Sequence, residues 1–174
     1  GSFGFGVATS STSRFALHTS QAHNASASNT KRRHTDAACI TMISANDGSL
    51  LAEADFTSAG SGTFTLNWTT TDGSARPIEI MVLGGDSLTN VATQEFAART
   101  TAGAQAYTGV GFQPDCILIA TVSSTTADVV TADNTLFSLG FATSSTSRGA
   151  LGMSSVDAQS DTISAHGQST VRVI

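Results

Sequence analysis

One lysine, one tryptophan, one tyrosine, two prolines and two cysteines are all that this sequence of 174 residues holds of those types. Charge is scarce too: Asp, Glu, Lys and Arg together make up 12%, about half the usual share. The balance is acidic, with a formal net charge of −5. A chain so poor in Lys and Arg cannot neutralise many phosphates, which disfavours nucleic acid as a partner. No apolar run approaches the ~20 residues that a helix needs to cross a bilayer, so no membrane partner is expected. No charged stretch followed by an apolar core marks the N-terminus as a secretory signal. Cys39 and Cys116 fit neither a metal spacing nor a disulfide framework. Both lie in apolar runs (ACITMI and DCILIATV) and are expected as buried free thiols, bridged only if their strands are neighbours.

What fills the chain instead is Ser, Thr, Gly and Ala, with hydrophobic residues at 40%. That is too apolar for disorder. Small, weakly charged residues suit a chain whose surface is covered by neighbours, whereas a free monomer is usually kept apart by charge. The string ATSSTSR occurs at Ala8–Arg14 and again at Ala142–Arg148. The same shift of 134 residues takes Phe3 to Phe137, Gly6 to Gly140, Ala16–Leu17 to Ala150–Leu151 and Ile40 to Ile174. These collinear matches indicate an internal repeat, about 3–40 and 137–174, and Thr41–Asp86 has no second copy.

The pattern along the chain is β almost throughout. FGFGVATSS and FSLGFATSS alternate large and small residues, with RFALHTSQ and RGALGMSS as their partner strands across a Ser/Thr turn. CITMISA runs to a turn at Asn46-Asp47-Gly48. In LLAEADF, Leu50, Ala52, Ala54 and Phe56 share one face, and in TFTLNWTT Phe64, Leu66 and Trp68 do. RPIEIMVLGG would follow as a third strand, with Ile78, Ile80 and Val82 in the core. Leu50–Leu83 is thus expected as a meander anchored by a buried Trp68. Gly84–Val110 has weak patterning and reads as a surface connector, with TQEFAAR as a short strand or one helical turn. After a Pro-Asp turn, Cys116–Val122 reads as a strongly apolar strand. The expected fold class is all-β, an antiparallel β-sandwich or jelly-roll-like arrangement. Its parts are 1–87 with the meander, a connector over 88–110, and 111–174, the two β-rich portions being able to pack as one domain.

Chemistry is sparse. His18, His23, His34 and His166 lack the neighbours of a metal or catalytic motif and read as structural or exposed. No Gly-x-Ser-x-Gly stands in a strand-turn-helix setting. Glu53 and Asp55 share a face as a glycosidase pair would, but alternation alone gives that spacing on any solvent face. The sequons at Asn24 and Asn67 are what a Ser/Thr-rich chain contains by chance. No catalytic residue, metal site or cofactor is expected. NTKRRHTD (Asn29–Asp36) is the one basic cluster, readable as a patch docking an acidic neighbour through Arg32 and Arg33, or as a solvated loop.

Five segments carry a resemblance: Phe112–Pro114, Gly140–Ser145, Cys39–Ile40, Phe64–Thr69 and Leu83–Gly85. In this set the chain resembles a repeat unit of predicted virion structural proteins of tailed bacteriophages, of the capsid-decoration or fibre type. These are strand and turn signatures, and no catalytic residue comes with them. The resemblance implies a non-enzymatic virion component, assembled in the bacterial cytoplasm. Its implied partners are other copies of itself and other virion proteins, such as a major capsid or tail protein. The order differs: in the unit Phe-Gln-Pro comes first, whereas here Cys39–Gly85 precedes Gly111–Ile174. A sugar-binding β-sandwich at a receptor-binding fibre is the alternative, although sugar sites usually need exposed aromatics and only Tyr107 and Asn90 offer themselves loosely.

The terminal STVRVI aligns with TDAACI, which in the first copy leads into the meander. The second copy then has apolar surface and backbone groups to satisfy. Either it docks on the meander used by the first copy, or Val171, Val173 and Ile174 add to an edge of an adjacent subunit.

Overall fold

The structure, a computed structural model, describes residues 1–22, 26–161 and 163–174. Its elements are all strands: β1 (Ser2–Ser10), β2 (Ser13–Gln21), β3 (Thr30–Thr35), β4 (Ile40–Ile43), β5 (Leu50–Gly60), β6 (Thr63–Thr70), β7 (Ile117–Thr121), β8 (Thr131–Ala132), β9 (Thr135–Ala142), β10 (Arg148–Ser155) and β11 (Ser164–Ser169). They form three antiparallel sheets in the orders β1-β2-β3-β8, β4-β5-β6 and β7-β9-β10-β11. The chain is all-β and sandwich-like, as its alternation demands.

The β1–β2–β3 sheet has a neighbour on each face. Phe3, Phe5 and Val7 alternate with Gly4, Gly6 and Ala8, so β1 turns large residues to one side and small ones to the other. The large side meets the β9 sheet: Leu17, Phe137 and Val122 form the buried core, joined by Phe5, Phe15, Ala120 and Leu139. The Phe3 and Phe137 rings lie 4.0 Å apart. The small side lets β4 come close. A Cβ on Gly6 would stand 1.9 Å from the Cys39 carbonyl oxygen, so only glycine permits that approach. Both portions of the chain share this architecture, since β8 pairs with β3.

The two hairpins carrying the doubled string pair in the same register. Phe5 opposes Leu17 and Gly6 opposes Ala16 in one; Leu139 opposes Leu151 and Gly140 opposes Ala150 in the other. The third strands continue the match, Leu17 against His34 and Leu151 against Gln168. In the turns, Thr12 N–H donates to Ser10 Oγ and Thr146 N–H to Ser144 Oγ, both at 3.2 Å.

Several expectations need correction. The three-stranded meander is β4–β5–β6, and residues 78–83 form no strand. Ile80, Val82 and Leu83 are 57%, 71% and 68% exposed. Phe64, Leu66 and Trp68 do share a face, but it points away from the β1 sheet, and Trp68 is 43% exposed. The side of β5–β6 turned inward carries Glu53 and Asp55, which follow the cations of the sheet beneath. TQEFAAR forms neither strand nor helical turn. Cys116 is exposed and Cys39 half-buried; both are free. Cys116 lies just before β7, the edge strand of its sheet, which is why an apolar neighbourhood in sequence did not bury it.

Candidate functional site

The sequence cluster Thr30–Thr35 is strand β3 rather than a loop, and three of its cations are drawn inside. Arg33 is 7% exposed. Its guanidinium donates to Glu53 Oε2 at 2.8 Å, Thr41 Oγ1 at 3.2 Å and Asp128 Oδ1 at 3.3 Å, and also to the Asp128 carbonyl. Arg32 donates to Asp133 Oδ2 at 3.3 Å and to the Asn134 carbonyl. Lys31, also buried, donates to Asn29 Oδ1. The acidic neighbours of this cluster therefore belong to the same chain. A buried guanidinium needs that degree of pairing to offset its desolvation.

Beside it, Arg14 of the doubled string holds Asp55 through both carboxylate oxygens, Nε to Oδ1 at 2.7 Å and Nη2 to Oδ2 at 3.2 Å, and reaches the Ala37 carbonyl. Glu53 and Asp55 are thus the acidic half of an ionic layer between the β1 and β5 sheets. They are not a carboxylate pair facing a cleft. His18 completes the layer: it accepts the Ile43 N–H at Nδ1 (3.5 Å), and burial pushes its pKa down to about 4. Burial raises the Cys39 thiol, and Asp55 nearby adds to the shift. Hydrogen bonds from Ser44 and Ser49 hold the exposed Asp47 carboxyl down at about 2, in the turn closed by Gly48 at φ +78°. His34 faces Glu95 at 3.5 Å, and His166 is exposed on β11. His23 and the sequon residue Asn24 lie outside the described residues; Asn67 sits within β6, paired with Asp55.

Among the described residues no three His, Cys, Asp or Glu side chains gather as a metal site requires. One cleft of about 380 Å³ lies between the β1–β2 turn and the connector, lined by Ser13, Arg14, Asp36, Thr93 and Glu95 among others. Its Arg14 is already held by Asp55.

The remaining feature is exposed apolar surface. Leu118, Phe141, Leu151 and Met153 are 55%, 50%, 45% and 41% exposed. Register places them on the same face of the β7–β9–β10 sheet as the core residues Phe137 and Leu139, as its uncovered part: Leu118 opposes Phe141, Leu139 opposes Leu151 and Phe137 opposes Met153. A second apolar stretch is the extended segment 78–83. At the terminus Val173 lies over Gly140, where a Cβ would meet its carbonyl oxygen at 1.4 Å, while Val171 and Ile174 are exposed. The terminal residues were singled out in the sequence through the repeat, as candidates for contact with a neighbour. Sequence reasoning missed the Leu118–Met153 face because the same alternation reads as core. Tyr107 stacks on Phe96 with ring centres 4.0 Å apart, and Asn90 lies exposed in the connector.

Comparison with family models, curated proteins and solved structures finds no match to this chain.

Proposed function

We propose that this chain is a non-enzymatic structural subunit that assembles with further copies of itself and other shell or fibre proteins at the exterior of a bacteriophage particle. The observation that carries the assembly is the exposed face of Leu118, Phe141, Leu151 and Met153 in a chain with only 12% charged residues. Exposed apolar residues on one sheet face, with so little charge to keep chains apart, are what protein–protein contact surfaces present. The extended segment 78–83 adds exposed apolar residues without a strand partner. The resemblance of the strand and turn signatures to repeat units of virion proteins supplies the particle.

Two measurements separate the parts of this reading. Sedimentation velocity of the purified chain is expected to show concentration-dependent association, and a strict monomer at high concentration rejects self-assembly. Mass spectrometry of purified virions is expected to find the chain in many copies per particle, and its absence rejects the virion role whatever the chain does alone.

A second reading is carbohydrate binding, favoured by Trp68 and Phe64, 43% and 42% exposed on one face of β6. Sugar-dependent change in the single tryptophan's fluorescence tests it.

A further inference from the structure

Two stretches of this chain have the pattern of a strand covered on both faces, and each lacks a strand beside it. In β7, Ile117, Leu118, Ile119 and Ala120 are apolar at consecutive positions, so both faces of the strand are apolar. Such a run belongs inside a sheet, yet β7 pairs with β9 alone and ends its sheet. In residues 79–83, Ile80 and Val82 lie on one side of an extended chain and Met81 and Leu83 on the other, again apolar on both. Pro77 just ahead fits the start of a strand. Among the described residues no backbone hydrogen bond joins residues 77–84 to another element. Ile80, Met81, Val82 and Leu83 are 57%, 79%, 71% and 68% exposed.

Other free edges match this arm less well. In β6 the Phe64, Leu66 and Trp68 face is apolar, but Thr63, Thr65, Asn67 and Thr69 make the other face polar. β11 is polar on both faces. An arm that is apolar on both faces therefore fits β7. Every ladder of this fold is antiparallel, and one antiparallel register sets polar against polar, Glu79 opposite Thr121. It sets Ile80, Met81, Val82 and Leu83 opposite Ala120, Ile119, Leu118 and Ile117. Opposed residues share a face, so Ile80 and Val82 extend the side on which Leu118 and Phe141 are exposed.

We propose that residues 79–83 of one copy add as an antiparallel strand to the free edge of β7 in a second copy, with Glu79 opposite Thr121. Within one chain the two segments are not paired. Each copy has one such arm and one such edge, so two copies can exchange arms and satisfy the backbone groups of both. The exposed parts of Ile80–Leu83 and of Ile117, Leu118, Phe141 and Leu151 come to on the order of 1,000 Å² for one arm on one edge, the size a specific interface needs. The contact rests on the self-assembly proposed above and holds whether or not the particle is a virion.

The register brings Gly84 opposite Cys116, which is exposed, and a Cβ added at Gly84 meets nothing within 4 Å. Gly84→Cys in the full chain, with Cys39→Ala to leave one native thiol, should therefore form a disulfide between chains under mild oxidation. Most of the protein is expected as linked chains on a non-reducing gel. Glu79→Cys, at the far end of the arm, should link at least tenfold less. Val82→Asp should reduce association at least tenfold in sedimentation velocity and leave far-UV circular dichroism unchanged, since residue 82 lies in no strand of its own chain. A disulfide closed within one chain overturns the second copy as occupant, and equal linkage from Glu79→Cys overturns the register. Where the parent associates, absence of the disulfide or full association of Val82→Asp overturns this contact and leaves self-assembly standing. A strict monomer overturns both.

Discussion

Gly6 and His18 show how much single positions decide in a chain with so few large residues. Gly6→Ala forces a methyl against the Cys39 carbonyl, which must withdraw with β4 attached; a loss of about 1–3 kcal/mol is expected in urea unfolding. His18 sets a pH dependence whose sign is fixed. Its folded pKa, about 4, lies below the ordinary histidine value of 6.5, so the unfolded chain binds the extra proton first on acidification. Its contribution is complete above pH 6.5 and is lost as pH falls through 4, amounting to roughly 3 kcal/mol at full protonation. His18→Gln should flatten that part of the stability–pH curve relative to the parent. Such roles were half legible: the glycines stood out through the repeat, while His18 read only as one of four structural histidines. Trp68 was grouped correctly with Phe64 and Leu66 but expected in the core, because alternation does not say which face is covered.

At the level of elements, the hairpins were legible because large and small residues alternate without interruption and the Ser/Thr string marks the turns. The strand β3 was not, because Lys, Arg and Arg in succession look like a solvated loop. What makes a strand of it lies far away in sequence, at Glu53, Asp128 and Asp133. Truncating the central cation tests this. Arg33→Ala leaves Glu53 and Asp128 without their partner, and a cost of about 3 kcal/mol is expected by chemical denaturation. Arg32→Ala, whose partner Asp133 is 57% exposed, should cost under about 1 kcal/mol. Equal costs would mean that the two cations sit in equivalent surroundings. The segment 78–83 was misassigned for the opposite reason: its period of two is that of a strand, and a strand pattern exists in the sequence whether or not a partner stands beside it.

For the whole molecule the fold class followed from composition and period, while the arrangement of three sheets did not, since Leu17, Val122 and Phe137 are brought together across more than a hundred residues. The same low charge that made the chain read as β and covered also dictates how it should associate. Ionic contacts within the chain already occupy Arg14, Arg32 and Arg33. The face of Leu118, Phe141, Leu151 and Met153 carries no charge of its own, so contacts made through it depend on area removed from water. Association should therefore barely weaken between ~50 and ~500 mM NaCl, a range over which screening erodes surface ion pairs. It should also show a negative heat-capacity change. Phe141→Ser with Leu151→Ser should reduce association at least tenfold while far-UV circular dichroism stays β-type. Sedimentation velocity at the two salt concentrations decides between the mechanisms: a tenfold loss at high salt would place the contacts on charged residues, and the double variant would then associate as the parent does.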